Sequence, residues 1–255
     1  MTLILTHFSR HGIIHASDSN LTSANQNAGV GQKTFDISFL NAGLTIAGAY
    51  SVNGVPMDRW MNDFIHLQSQ RNGIALFDFS RSLRDELEVQ MTHTEKISGS
   101  MAHIAGYVDN AGVSHPEFWF VRNVHQIDPQ TGAYGNITDN FAISEDFWAR
   151  DCPRNNLMQA FRQGAYQVYV NGFAPGRISY VILQSSLNQF FSAIWNQPAW
   201  QFRPPQSVQE TEILVKSYLN IVTTLFQLSD YEAQYIGGGI QTHCIPSPPN
   251  VAAHC

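Results

Sequence analysis

The sequence predicts an α+β chain in which antiparallel sheets pack against helices. Three observations predict it. Strand signals come as neighbouring runs joined by short turns, at 2–16 and again at 34–49. Helical periodicity then holds through one block, 56–91, so strands and helices do not alternate as parallel βαβ units require. Hydrophobic residues make up 44% of the 255, which supports a large buried core.

The elements follow in chain order. Residues 2–8 are a short apolar run and read as a strand; Arg10-His11-Gly12 is a turn, and Ile13 to Ala16 is the partner strand. Ser17-Asp18-Ser19-Asn20 breaks the pattern, and 23–32, rich in Asn, Gln and Gly, reads as a loop. Thr34 to Leu40 and Leu44 to Ala49 form a second hairpin about Asn41-Ala42-Gly43. Pro56 suits a first helical turn, and Trp60, Met61, Phe64, Ile65 and Leu67 recur at helical spacing, giving a helix over 56–69. Gly73 breaks it, and Ile74 to Met91 is a second helix with Leu76, Phe79, Leu83 and Leu87 on one face.

Ala102 to Val108 and Phe118 to Val124 read as strands about a turn at Asp109-Asn110-Ala111-Gly112. Residues 128–153 read as loop, 155–170 as a helix, and the unbroken apolar run Ile178 to Leu183 as a buried strand. Residues 196–206 read as loop. Ser207 with Glu210 is a capping box that opens a helix to about 227. Gly237-Gly238-Gly239 leads into a last strand, Ile240 to Ile245, and 246–255 is expected to be a mobile tail. No repeat or linker divides the chain, so 1–255 reads as one domain.

Composition excludes several functions. Charged residues are 13%, about half the usual share, and a net charge of −6 leaves no broad basic surface for nucleic acid. No apolar run approaches the roughly 20 residues of a membrane helix. The first residues lack the basic and long apolar regions of a signal peptide. The three cysteines, Cys152, Cys244 and Cys255, are odd in number and far apart, which fits a reducing cytoplasm. Cys152 and Cys244 read as buried packing residues. His7, His11 and His15 are four apart but fall on two strands and a turn, and His243, Cys244, His254 and Cys255 have no closed zinc spacing. Neither a metal nor a cofactor is expected. Scarce charge with many aromatics points to surface covered by a partner subunit.

The chemistry concentrates in the first fifty residues. A small residue at position two permits removal of Met1, which exposes Thr2 with a free α-amino group. Such a threonine is a nucleophile carrying its own base, since an α-amine titrates near 8 and takes the hydroxyl proton, directly or through a water. A nearby cation lowers that value further. Lys33 is the only lysine among the first ninety-five residues. Asp18 ends the partner strand and is placed to pair with it. Ala47-Gly48-Ala49 offers a close backbone approach for an oxyanion.

These residues resemble the proteasome β-subunit type of N-terminal-nucleophile hydrolase, a group that includes HslV and the Anbu-type bacterial homologues. The resemblance rests on Thr2, on Arg10-His11-Gly12-Ile13-Ile14, on Ala16-Ser17-Asp18-Ser19 with Thr22, on Lys33-Thr34-Phe35-Asp36-Ile37, and on Ile46-Ala47-Gly48. Asp18 stands sixteen residues after Thr2 and Lys33 thirty-one, close to the family spacing with one gap. The likeness thins later. Ser207 to Glu210 resembles a helix start, and Gly238-Gly239-Ile240 resembles a glycine pair before a strand. The family places a supporting Asp and Ser before that pair, where this chain has Tyr235-Ile236-Gly237; Asp230 is the nearest carboxylate. Another family serine follows an earlier strand, matched by Ser185 or Ser186, with Ser144 as rival. The chain is longer than the family across 125–176, an apparent insertion.

The resemblance implies a four-layer αββα sandwich of two antiparallel sheets between helix layers. It implies a homo-oligomeric ring and threonine-dependent hydrolysis of peptides or unfolded protein, with no cofactor and an ATP-dependent unfoldase as candidate partner. Substrate would lie as an added strand, with pocket positions at Leu21, Thr22, Gly31, Ile46 and Tyr50. Thr2, Asp18, Lys33, Gly48 and Ser185 or Ser186 are the implied catalytic set. Two alternatives remain: a non-catalytic ring-forming scaffold subunit, and an acyl-transferring relative in which an amine resolves the acyl intermediate.

Overall fold

The computed structural model describes residues 2–23, 26–127, 134–144, 166–197, 199, 201–231, 233–249 and 251. The strands β1 (Leu3–Ser9) and β2 (Gly12–Asp18) form the first hairpin, with Ser9 opposite Gly12. A further hairpin follows the break, β3 (Asn20–Ser23) with β4 (Gln26–Val30), the second strand lying within the stretch 23–32 expected as loop. All of β4 is exposed, so it has no buried face and no alternating signal in the sequence. The second expected hairpin is β5 (Thr34–Ile37) and β6 (Ala42–Gly48), joined by a 3-10 turn at Ser38–Leu40. Asn41 closes that turn at φ 47, a left-handed conformation that asparagine tolerates.

A small ribbon, β7 (Ser51–Val52) and β8 (Val55–Pro56), leads into α1 (Met57–Ser69), with Pro56 just ahead of the first turn. The helix α2 (Leu76–Gln90) follows, then α3 (His93–Lys96), which Thr92 and Glu95 open as a capping box. The Glu95 carboxylate also accepts from Ser51, Asn53 and Gly54, which ties the ribbon down. The long hairpin β9 (Ser100–Asn110) and β10 (Val113–Ile127) is extended by β11 (Tyr134–Ser144), a strand within the expected loop.

Two expectations in the following stretch are corrected. Of the helix expected at 155–170, residues 155–165 lie outside the described residues, and 166–170 belong to the strand β12 (Tyr166–Gly172). It pairs along its length with β1, from Leu3 opposite Gly172 to Ser9 opposite Tyr166, and that pairing decides its state. The run Ile178 to Leu183 is not a strand. It is inside α4 (Ala174–Trp195), a 22-residue helix. A short apolar run has no periodicity that separates helix from strand. The last helix is α5 (Val208–Gln227) and the last strand β13 (Ile240–Pro246). Only half of the expected capping box forms at α5. Ser207 accepts the Glu210 N–H at 3.1 Å, but the Glu210 carboxylate turns to Arg203 and to the Gln206 N–H. In the tail, Val251 bridges to Ser114.

The protein is thus a mixed α and β fold built on antiparallel sheets. One sheet has four strands in the order β12-β1-β2-β13; the other has five, β11-β10-β9-β6-β5. Three apolar cores surround them. Met61, Phe64, Phe79 and Leu83 of α1 and α2 pack on Phe35, Leu44 and Ile104 of the five-stranded sheet. Phe8, Ile13 and Tyr169 of one sheet meet Ala105, Phe118 and Phe120 of the other. Leu3, Leu5 and Ile14 pack with Tyr180 of α4 and Val215, Leu219 and Val222 of α5. The strand β1 therefore sends Leu3 and Leu5 to the helices and Phe8 to the facing sheet, and is buried on both faces. No helix among the described residues is long and apolar enough to cross a membrane. Several large apolar side chains stay exposed on α4 and α5, among them Ile182, Phe190, Ile213 and Leu225.

Between the sheets runs a chain of buried polar groups whose proton positions follow by elimination. The Ala105 carbonyl can only accept, so His15 Nε2 carries the hydrogen that reaches it at 3.2 Å. His15 Nδ1 is then the acceptor for the Thr6 hydroxyl, 3.1 Å away. Thr6 Oγ1 in turn accepts from His103 Nδ1 at 3.1 Å, and His103 Nε2 accepts from the Asn171 amide at 2.8 Å. Both histidines are neutral in this arrangement. Burial lowers His15 to about 3 and His103 well below its ordinary value, and it lowers His7, on the helix face of β1, to about 4.

These three groups bind protons more readily unfolded than folded, so their contribution is complete above about pH 6.5 and is lost as pH falls. Stability should decline on acidification with a slope of about 1.4 kcal/mol per pH unit for each histidine. Urea midpoints measured between pH 7.5 and 4.5 check this. His7→Phe, which keeps the ring stacked on Tyr166, should lower the slope by one proton; an identical slope in this variant would contradict the assignment.

Candidate active site

Hairpin register builds the site. Ile4 lies opposite Ser17, so Asp18 arrives beside the start of β1. The Leu3 N–H donates to Asp18 Oδ1 at 2.9 Å. On the other side, the Thr2 carbonyl accepts the Phe173 N–H at 2.7 Å. Thr2 is thereby fixed between the end of β2 and the turn after β12, and it is only 5% exposed.

Asp18 is a hub. Its Oδ2 accepts from the Asn20 N–H at 3.2 Å and the Gly237 N–H at 3.1 Å. Lys33 Nζ is 3.4 Å from each carboxylate oxygen and also donates to the Asn20 carbonyl. The Lys33 and Asp18 side chains are 1% and 0% exposed, so the pair is desolvated. Burial pushes the Lys33 ammonium below its ordinary value, with Asp18 pulling it back. Burial likewise raises Asp18, against Lys33 and the three backbone N–H groups. A buried ammonium of this kind acts strongly on a neighbouring amine, because little solvent screens it.

Gln241 holds the lysine segment in place. Its Oε1 accepts from Lys33 N–H at 2.7 Å and Thr34 N–H at 3.2 Å, and its Nε2 donates to the Gly31 carbonyl at 2.7 Å. Sequence reading missed this residue. Gln241 is one residue into the last strand and reaches the site because β13 lies against β2, where it faces Ser17. Only that register reveals it.

Gly48 ends β6 at φ +110, where a Cβ would sit 1.9 Å from the Gly99 carbonyl oxygen. No side chain fits there. Gly48, Thr2, Leu21, Thr22, Ile46 and Tyr50 line one small cavity of about 30 Å³, together with Asn20, Ala47 and Ala49. Tyr50 forms one wall of it. The Tyr50 hydroxyl donates to the Gln32 carbonyl at 2.9 Å, and a Cβ on Gly31 would lie 2.2 Å from that hydroxyl oxygen. Gly31 is the surface against which the Tyr50 ring rests. All five expected pocket positions therefore meet Thr2 or Tyr50.

The expected serines do not join them. Ser185 and Ser186 were placed after a strand that is α4 instead; both are exposed, and the Ser186 hydroxyl bonds to the Ile182 carbonyl of its own helix. Ser144 ends β11 opposite Phe120. Asp230 is exposed. The segment that does reach Asp18 is Gln234 to Gly237. The Gln234 carbonyl accepts from the Asn20 side chain, and the Gln234 amide occupies the space where a Gly237 side chain would point.

No protein-family model matches the chain, and no curated protein does. Among the described residues no three His, Cys, Asp or Glu side chains gather as a metal site. Burial and the neighbouring Glu212 push the Cys244 thiol up to about 12, so it carries no thiolate for nucleophilic work. The arrangement around Thr2 offers a buried hydroxyl, a desolvated ammonium–carboxylate pair tied to the adjacent peptide, and a glycine backbone on the same small cavity.

Proposed function

We propose that the chain is a threonine hydrolase of the proteasome β-subunit type, acting on peptides once Met1 is removed. The observation that carries this reading is the double engagement of Asp18, which binds both the Lys33 ammonium and the N–H of Leu3, the residue that follows Thr2. The order of the three apolar cores supports the four-layer αββα sandwich. The exposed apolar residues of α4 and α5 support packing into a homo-oligomeric ring, and low surface charge fits that assembly.

In the proposed reaction the Thr2 hydroxyl adds to an amide carbonyl while the Thr2 α-amine takes its proton. Lys33 keeps that amine neutral by like-charge repulsion. The Gly48 N–H stabilises the oxyanion. The amine then returns the proton to the departing amino group as the C–N bond breaks, leaving an ester on Thr2. Water adds to the ester, and its cleavage restores the hydroxyl. The substrate would lie extended between the segments at Leu21-Thr22 and Ala47-Gly48-Ala49.

Intact mass tests the reading first: Met1 should be absent. One observation favours the scaffold alternative, namely that Tyr235-Ile236-Gly237 stands where the family has its Asp and Ser. Retention of Met1 would select that alternative.

Tyr50 predicts the specificity. A small pocket walled by Tyr50 should favour Gly, Ala or Ser on the acyl side of the cleaved bond. Tyr50→Ala should raise kcat/KM for a Leu or Phe at that position by at least about tenfold relative to Ala, the low end of what pocket size delivers. Fluorogenic peptides differing only in that residue would measure it, and an unchanged ratio would contradict the role of Tyr50.

A further inference from the structure

A second cavity, about 330 Å³, lies at the far end of β1 from Thr2, enclosed by the β1–β2 turn, α4, α5 and the segment before α5. That volume is at the lower end of ordinary small-molecule pockets, about 300–1,000 Å³. Its walls include His7, Tyr166, Trp195, Leu214 and Tyr218, and Arg10 lies at its rim. The threonine chemistry uses none of them.

His7 is 6% exposed and stacks on the Tyr166 ring at 5.0 Å, which gives the cavity a flat aromatic wall. One feature points to the charge of an occupant, Arg10. Its Nε donates to His11 Nε2 at 3.2 Å, and no carboxylate pairs with the guanidinium among the described residues. Glu210, in the first turn of α5, is committed to Arg203 at 2.6 and 2.7 Å and to the Gln206 N–H at 2.8 Å. A guanidinium with no carboxylate partner among the described residues, beside an aromatic-walled cavity, matches an anionic head on a flat apolar body.

We propose that this cavity binds a small aromatic carboxylic acid, its ring between the aromatic walls and its carboxylate on Arg10. The site stands whether or not Thr2 is a nucleophile.

Calorimetric titration of the full chain with 2-naphthoate tests it, with 2-naphthylmethylamine as the cationic counterpart. The acid should bind saturably at one site and at least about tenfold more tightly than the amine. Arg10→Gln, at an exposed turn, should remove about that tenfold preference. Leu214→Trp should fill the cavity and abolish binding of both. Thr2→Ala should leave binding unchanged. Equal affinity for acid and amine, no effect of Arg10→Gln, or no saturable binding would overturn the proposal. If Leu214→Trp does not fold, Arg10→Gln alone decides.

Discussion

Thr2→Ala is expected to bring peptide hydrolysis to background, a loss on the order of 10⁴–10⁶-fold, with the fold unchanged. The hydroxyl is the proposed nucleophile, and no other group on the cavity replaces it. The structural cost is small because the described hydrogen bonds of Thr2 use its backbone. Its carbonyl would still accept from Phe173, and Leu3 would still donate to Asp18. Thr2→Ser keeps both hydroxyl and amine and should keep measurable turnover. Assays of both variants against the same fluorogenic peptide, with thermal melts alongside, check the prediction. Full turnover by the alanine variant would remove Thr2 from the mechanism.

Lys33→Met should lose both activity and stability. Methionine approximates the lysine stem but leaves the Asp18 carboxylate buried without its cation. Breaking a buried pair from one side costs about 3–5 kcal/mol. The proposed amine would also lose the charge that keeps it neutral, and the rate optimum should move to higher pH. Adding Asp18→Asn in that background should recover part of the stability and none of the activity. The recovery is partial because Asp18 accepts three backbone N–H groups, and an amide has one acceptor oxygen to offer them. Urea unfolding and a pH–rate profile separate the two effects. A Lys33→Met variant with the wild-type profile would show that the lysine only holds structure.

The sequence made the first half of the molecule readable. Its hairpins and helix pair carry local signals: turn residues at 10–12 and 41–43, and helical spacing from Trp60 to Leu87. Asp18, Lys33 and Gly48 were legible by type and spacing, and the structure gathers them at one end of β1 and β2. The second half was harder, for physical reasons. The run at 178–183 is apolar on every side, so no period marks it as helix. β12 is a strand through its partner β1, a pairing more than 150 residues apart in sequence that no local window contains. The serines assigned after the supposed strand fell with it. Gln241 and the Gly237 N–H reach Asp18 and Lys33 only because β13 closes on β2, again a long-range event. Tyr50 was expected at the pocket; that its hydroxyl comes to rest against Gly31 depends on side-chain volume, which no spacing in the sequence records.

The proposed nucleophile has one direct measurement. The purified protein is treated with a peptide epoxyketone bearing a small residue next to the warhead, then weighed intact and mapped by peptide mass. The reagent closes a ring with a threonine hydroxyl and the α-amine of the same residue, so it reports both groups together. The account predicts a chain lacking Met1 that gains one adduct at Thr2, and no adduct in Thr2→Ala. A chain that keeps Met1 and takes up no reagent would contradict it.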